Sequence, residues 1–435
     1  MRAFWLFVLL AAAGCSRTRL FDSLGPGPVA NGGTAGTGGS GATGGSGATG
    51  GSGATGGSGG SGATGGSGGA PSCTTWSVVP GPPIPLTAPT GDSMLTSLHA
   101  DGDHVFVGTM NDNDPSPDPT WRVRVVKDDL SDLGTSEVAL KHPQSVSLSG
   151  IGIAIGSGYR GAVAWVDAQG CRFVELGADG APSAAPRTIA KTWCYWLVPS
   201  APGFVAFNSP IFTFAPLTLL TLNKHGKVTQ THSNVITTAS SPNQTYPRGI
   251  AKFDDGTLLA VWSDGPGGGP TTFSAQHLDD SGNKLGKQES LTIAASNNLR
   301  FALASMGGSA LAALTLDNGG STRLDVQQVS MNGALMGSPV TIAQTTDQIG
   351  HVAVAHVGGI ALVAWTEGQS GAAHVLQVRP VSTNGKPLGP PFAAPAPNFI
   401  GNVRLVGTPA GALLVYEAER PNTLTQVFAD RLVCN

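Results

Sequence analysis

Apolar runs of five to seven residues recur along the second half of the chain, each opened by glycine or another small residue. The plainest are Thr257-Leu258-Leu259-Ala260-Val261-Trp262, Ala310-Leu311-Ala312-Ala313-Leu314, Ile360-Ala361-Leu362-Val363-Ala364-Trp365 and Ala412-Leu413-Leu414-Val415-Tyr416. Their openings at Gly256, Ser309, Gly359 and Gly411 stand 53, 50 and 52 residues apart. Less regular copies begin at Gly102, Gly161 and Gly203. About 25 residues into a unit a second landmark returns: Asp280-Ser281-Gly282, Met331-Asn332-Gly333 and Thr383-Asn384-Gly385. Ser-Gly and Asn-Gly between apolar runs predict hairpins, because glycine and asparagine accept positive φ. The intervening segments Leu324–Val329 and Val375–Val378 alternate at period two, as half-buried strands do.

Units of about 50 residues with four short strands each predict an all-β fold, a β-propeller. Residues 73–435 number 363, which fits seven four-stranded blades of about 52. Blades bury both faces against neighbours, which explains uninterrupted runs such as Leu258–Trp262. Thr425–Cys434 reads as the third strand of the last unit, which leaves its fourth strand missing. The segment Val79–Leu86 resembles the fourth-strand region Leu388–Phe392, so the expectation is that the N-terminal strand closes the ring on the C-terminal blade. The uncharged stretch 192–223 has the length of a membrane helix, but Pro199, Pro202, Pro210 and Pro216 break it. It reads as buried strands of the third blade.

Before Cys73 the pattern is different. Residues 4–13 form an unbroken apolar run behind Arg2. Ten residues make a helix of about 15 Å, half a bilayer core, so the run predicts an export signal rather than a membrane span. Residues 31–70 contain 21 glycines, with GGSGAT repeated almost unchanged. Such a stretch has nothing to bury, and it is expected to be a disordered linker spanning roughly 30–40 Å root mean square. The organisation expected is a signal at 1–14, a linker at 15–72 and the propeller at 73–435.

Composition narrows the function classes. Only 12% of residues are charged, and glycine occupies 63 positions, which excludes a helical bundle or coiled coil. A net charge of −3 argues against a nucleic-acid partner. Of five cysteines, four follow the linker: Cys73, Cys171, Cys194 and Cys434. An exported chain permits disulfides, and four cysteines allow three connectivities. Closure of the ring would pair Cys73 with Cys434 and leave Cys171 with Cys194.

No motif fixes a reaction. Gly156-Ser157-Gly158-Tyr159-Arg160-Gly161 has the spacing of a dinucleotide loop, but a strand follows it where a helix is required, so it reads as a hairpin turn. His99 with His104 and His351 with His356 sit five apart, which on a strand points them to opposite faces, and no metal site is expected. The loop carrying Asp112, Asp114 and Asp118 is rich in oxygens and is a weak calcium candidate, without the spacing of a known calcium loop. Trp165, Trp262 and Trp365 end equivalent strands and read as core. Trp121, Trp193 and Trp196 fall outside that pattern and are weak ligand-contact candidates. Acidic residues are expected to recur at no matching place in the repeats. No catalytic residue and no cofactor are expected.

Ala12-Ala13-Gly14-Cys15 resembles a bacterial lipobox, with Ala12 where that family prefers leucine. The resemblance implies lipidation of Cys15, and Ser16 after it implies the Gram-negative outer membrane. Cleavage by ordinary signal peptidase is the alternative. The chain as a whole resembles bacterial lipoproteins with a Gly/Ser tether and a propeller-like repeat domain. It lacks the Trp-Asp dipeptide of one propeller class and the aspartate box of sialidase-type propellers. The expected function is a non-enzymatic, membrane-tethered monomer that binds a protein or glycan or acts as a scaffold. A polysaccharide hydrolase or lyase is the alternative, and it would need a carboxylate pair in the channel.

Overall fold

The computed structural model describes residues 75–88, 92–112, 120–138, 152–154, 162–167, 170–177, 181–200, 203–209, 218–233, 235, 244–265, 272–291, 300–317, 320–368, 374–396, 400–419 and 424–435. Cys15, Cys73, Asp114 and Asp118 lie outside them. Every named element is a strand. At the N-terminus come β1 (Trp76–Val78) and β2 (Ile84–Pro85). The first blade holds β3 (Asp92–Asp101), β4 (His104–Asp112), β5 (Thr120–Lys127) and β6 (Asp132–Val138). The second holds β7 (Gly152–Ala154), β8 (Ala162–Asp167), β9 (Gly170–Glu175) and β10 (Arg187–Ala190). The third holds β11 (Trp193–Ser200), β12 (Gly203–Ser209), β13 (Thr218–Asn223) and β14 (Val228–His232). The fourth holds β15 (Gln244–Lys252), β16 (Leu258–Gly265), β17 (Thr272–Leu278) and β18 (Glu289–Leu291). The fifth holds β19 (Phe301–Ser305), β20 (Ser309–Asp317), β21 (Thr322–Ser330) and β22 (Leu335–Thr345). The sixth holds β23 (Gln348–Val357), β24 (Ile360–Gly368), β25 (Val375–Ser382) and β26 (Phe392–Ala394). The chain ends in β27 (Ile400–Thr408), β28 (Gly411–Glu419) and β29 (Thr425–Cys434).

Each blade is an antiparallel meander of four strands in chain order. The first strands pack against one another in succession, β3 on β7, then β11, β15, β19, β23 and β27, and β27 packs on β3. This is an all-β propeller. The expected seven four-stranded blades become six four-stranded blades and one five-stranded sheet, in which β1 and β2 both pair with β29. The reason lies in Pro80, Pro82 and Pro83. Proline has no N–H to give a ladder, so the N-terminal segment cannot run as one edge strand. It splits into Trp76–Val78, opposite Leu432–Cys434, and Ile84–Pro85, opposite Phe428–Ala429.

The core lies between sheets. Trp365, Leu324, Val326, Val352 and Ile342 form the layer between the fifth and sixth blades. Leu405, Leu414, Tyr416 and Leu432 face Ala355, Leu362 and Val378 across the next boundary. Strands β20 and β16 are buried on both faces over most of their length, so the runs lack alternation. In β21 the period-two pattern fails, because Asp325 is buried beside Arg323, 2.8 Å away, and Thr341 Oγ1 donates to it at 2.8 Å. The Ser-Gly and Asn-Gly landmarks are the turns from third to fourth strands. Gly282, Gly333 and Gly385 have φ of +86°, +90° and +84°, and their N–H groups close turns on Asp279, Ser330 and Ser382. Stretch 192–223 contains β11, β12 and β13, as the prolines implied. No helix among the described residues is long and apolar enough to cross a membrane.

Candidate functional site

A repeated device organises one end of the sheets. The first strand of several blades bulges near its start, and a side-chain oxygen from the second strand accepts the freed amide. In the β23 bulge His351 N–H donates to Thr366 Oγ1 at 3.0 Å, and in the fifth blade, without a bulge, Arg300 N–H just before β19 donates to Thr315 Oγ1 at 2.8 Å. In the five-stranded sheet the acceptor is longer. Glu417 Oε2 takes Asn402 N–H at 3.1 Å, while Oε1 takes Asn402 Nδ2 at 2.8 Å and Leu95 N–H at 2.6 Å. Leu95 belongs to β3, so this one carboxylate ties the last sheet to the first blade. Gly401 makes room for it: a Cβ there would stand 2.3 Å from Glu417 Oε2.

A second recurrence contradicts the expectation that acidic residues match at no place in the repeats. Two residues after Trp262 comes Asp264, and two after Trp365 comes Glu367. Trp262 Nε1 donates to Asp264 Oδ2 at 3.2 Å, and Trp365 Nε1 to Glu367 Oε1 at 2.6 Å. The signal was present in the sequence as Trp-Ser-Asp and Trp-Thr-Glu, and again as Trp165-Val166-Asp167. A buried indole N–H needs an acceptor, and i+2 on a strand is the same face.

The seam between the chain ends and the first blade opens into a cleft of about 200 Å³ lined by Leu86, Thr87, Ala88, Thr109, Arg122 and Arg124. The segment after β2 is held on both sides. Val427 N–H donates to Thr87 Oγ1 at 3.1 Å and Gln426 Nε2 to Thr87 O at 2.5 Å. From the first blade, Arg124 Nη1 donates to Leu86 O at 2.8 Å. Thr425 N–H donates to Asp92 Oδ1 at 2.8 Å.

Within the five-stranded sheet, Asp430 is buried, and Tyr416 Oη donates to its Oδ2 at 3.0 Å. Burial pushes the Asp430 carboxyl up to about 6, against the tyrosine bond, which lowers it. Burial first, and the Asp430 charge second, push the Tyr416 phenol well above its ordinary range. Because the folded value exceeds the unfolded 3.8, the neutral carboxyl contributes stability below about pH 4. That contribution is lost as pH rises through 6, about 3 kcal/mol in all. Asp430→Asn keeps the acceptor and removes the charge, so we expect it to match the wild type in urea unfolding at pH 4 and to exceed it by about 2–3 kcal/mol at pH 7.5. Equal stabilities at pH 7.5 would contradict the buried-charge argument. His99 works in the opposite direction: burial, then the Lys252 charge, bring it down to about 4. Its contribution is present above pH 6.5 and lost as pH falls, and it cancels when the two proteins are compared.

The hairpin-side ends of the first strands carry His99, Lys252 and His356. Burial is the leading cause in depressing Lys252 and His356 as well, partly offset by Asp280 and Asp254 respectively. His104, the partner of His99 in sequence, is instead half-buried, with Nδ1 2.7 Å from Asp103 Oδ1. No group of three or more potential metal-ligating side chains occurs among the described residues.

The remaining sequence candidates scatter. Trp196 is not a contact residue on the surface. It is buried in a bulge of β11, edge-on to Phe207 at 6.3 Å, with φ +45°. Trp121 and Trp193 are placed in β5 and β11, but their side chains lie outside the description, as does that of Asp112 at the end of β4. The glycine motif at 156–161 lies outside the described residues, between the antiparallel strands β7 and β8. Cys171 and Cys194 form a disulfide. Cys434 is also disulfide-bonded, to a partner outside the described residues.

No protein-family model matches the chain, and no curated protein does. Among solved structures, it is similar to a β-propeller domain from Myceliophteria thermophila, at 14% identity over 80% of this chain and 99% of that one, with TM-score 0.47. The propeller domain of the trilobed protease of Pyrococcus furiosus matches at 11% identity over 78% and 94%, TM-score 0.46. Trypanosoma rangeli sialidase matches at 10% identity over 82% of this chain but 59% of that one, TM-score 0.42. The neighbours thus include both enzyme propellers and others, and none assigns a function.

Proposed function

We propose that this chain is an exported, lipid-anchored propeller that binds a glycan or protein partner without transforming it. The observation that carries the reading is the fate of its buried acids. Asp264, Asp325, Glu417 and Asp430 are the buried carboxylates among the described residues. Each is bonded to a structural neighbour: Trp262, Arg323 with Thr341, Leu95 with Asn402, and Tyr416. A hydrolase needs a carboxylate pair facing its substrate. These face tryptophan, arginine, threonine, asparagine, tyrosine and backbone instead.

In this reading Cys15 carries the lipid, 15–72 is the tether, and the outer membrane is the address. The five-stranded sheet serves as the closing blade of a seven-unit ring, with Cys73 bonded to Cys434. The test uses the full chain in detergent. It is expected to be retained on a polysaccharide or protein array while releasing no new reducing ends or peptides. Product that grows with protein concentration would favour the enzyme. Radiolabelled palmitate is expected to enter the wild type and not Cys15→Ser; label in both would remove the anchor.

A further inference from the structure

We propose that the hairpin ends of the first strands enclose a site for a tetrahedral oxyanion, phosphate or sulfate. Lys252 is its counter-charge, and Ser200, Ser305 and His99 are further donors. The repeat shows which side chains are out of place there. One residue back from the last pair before each first hairpin stand Ala100, Pro199, Lys252, Ser305, His356 and Gly407. One residue further back stand His99, Val198, Ala251, Ala304, Ala355 and Val406. Small or apolar residues serve the packing at most of these places, so Lys252, His356 and His99 answer no need of the sheets.

These residues converge. β11, β15, β19 and β23 are consecutive first strands, and they carry Ser200, Lys252, Ser305 and His356 within one residue of the same level. His99 stands on β3, yet the Lys252 charge acts on it with β7 and β11 between them. Both side chains therefore reach into the space that the first strands enclose. The Ser200 and Ser305 hydroxyls are buried with no hydrogen-bond partner among the described residues. The His99 ring is buried and the Lys252 ammonium half-buried, and neither has a hydrogen bond or ion pair among those residues. Asp254 and Asp280, in the turns after β15 and β17, act on His356 and Lys252 only through space. Burial outweighs Asp280 at Lys252. A cation and hydroxyls left unpaired in such a place are satisfied by an anion that accepts from all of them. Lysine is a point charge, and the other donors stand on separate strands around it, which suits a tetrahedral oxyanion. A planar carboxylate is matched by the arginine fork, and no arginine stands at either level among the described residues.

Calorimetry on the full chain in detergent tests this, with inorganic phosphate, inorganic sulfate, glucose 6-phosphate and chloride as probes. Phosphate or sulfate is expected to bind saturably, and chloride is not. Tighter binding of glucose 6-phosphate than of phosphate assigns a sugar-borne group, and weaker binding a free ion; both support the site. Lys252→Ser copies Ser305, and His99→Ala copies Ala251, so both variants are expected to melt no lower than the wild type. Lys252→Ser is expected to weaken the oxyanion by about tenfold or more, and His99→Ala by less. A readout on the unmodified chain avoids any folding defect: the oxyanion is expected to protect Lys252 from acetic anhydride, read by mass spectrometry. No saturable binding of either ion, equal binding by Lys252→Ser, equal binding of chloride, or absence of protection would each overturn the site. The partner reading above stands or falls separately, by retention on its array.

Discussion

Serine in place of both Cys73 and Cys434 is expected to lower the unfolding free energy by up to about 5 kcal/mol, the largest effect of any change in this chain. Trp76 stands opposite Cys434 in the β1–β29 ladder, three residues after Cys73, and Cys434 is disulfide-bonded. A bond between Cys73 and Cys434 would close a loop of nearly the whole domain, and the chain-entropy term grows with loop length. The Cys171–Cys194 bond spans 23 residues and by the same rule contributes about 3 kcal/mol. What the larger bond protects is slight: β1 has three residues and β2 two, on an edge interrupted by three prolines. Without the bond, fraying of these strands would uncover β29 and the Phe428 and Leu432 side chains beneath. Urea unfolding of the double variant, set beside Cys171→Ser with Cys194→Ser, measures both. A smaller loss for the long-loop pair, or a peptide map joining Cys73 to any cysteine but Cys434, would remove the clamp.

The architecture was legible because propeller units repeat. Gly256, Ser309, Gly359 and Gly411 mark the hairpins into β16, β20, β24 and β28, and Gly282, Gly333 and Gly385 mark the outer turns. Both signals are local, and at the glycines they come from positive φ that few residues adopt. That the N-terminal segment pairs with the last strand was legible, but not its register, because resemblance to Leu388–Phe392 cannot say where prolines force a break. The seam cleft was not legible. Thr109 and Arg122 line it as cross-strand partners on β4 and β5, and pairing them requires the register of two strands. Trp196 was misjudged for a related reason. Its departure from the tryptophan period reflects a bulge in β11, which turns the indole into the core.

The second large effect belongs to Glu417. In the sixth blade the equivalent acceptor, Thr366, satisfies a single bulge amide of its own sheet, so Thr366→Ala is expected to cost about 1 kcal/mol. Glu417 accepts three N–H groups, one of them from the first blade. It also favours the charged form of Arg404, whose buried guanidinium desolvation nonetheless brings down to about 10. Glu417→Ala therefore strands two backbone amides, one side-chain amide and a buried cation. Removal of one partner from such a buried set costs about 3–5 kcal/mol. Glu417→Gln keeps the shape and one good acceptor but loses the charge, and we expect about 1–3 kcal/mol. The location of the damage distinguishes this from an ordinary core defect. Hydrogen exchange is expected to accelerate at Leu95 and along β3, which lies more than 300 residues away in sequence, before it does so in β24. If Glu417→Ala costs no more than Thr366→Ala, or if β3 stays protected, then the last sheet and the first blade are held together by packing and the N-terminal strands, and the carboxylate is only a local cap.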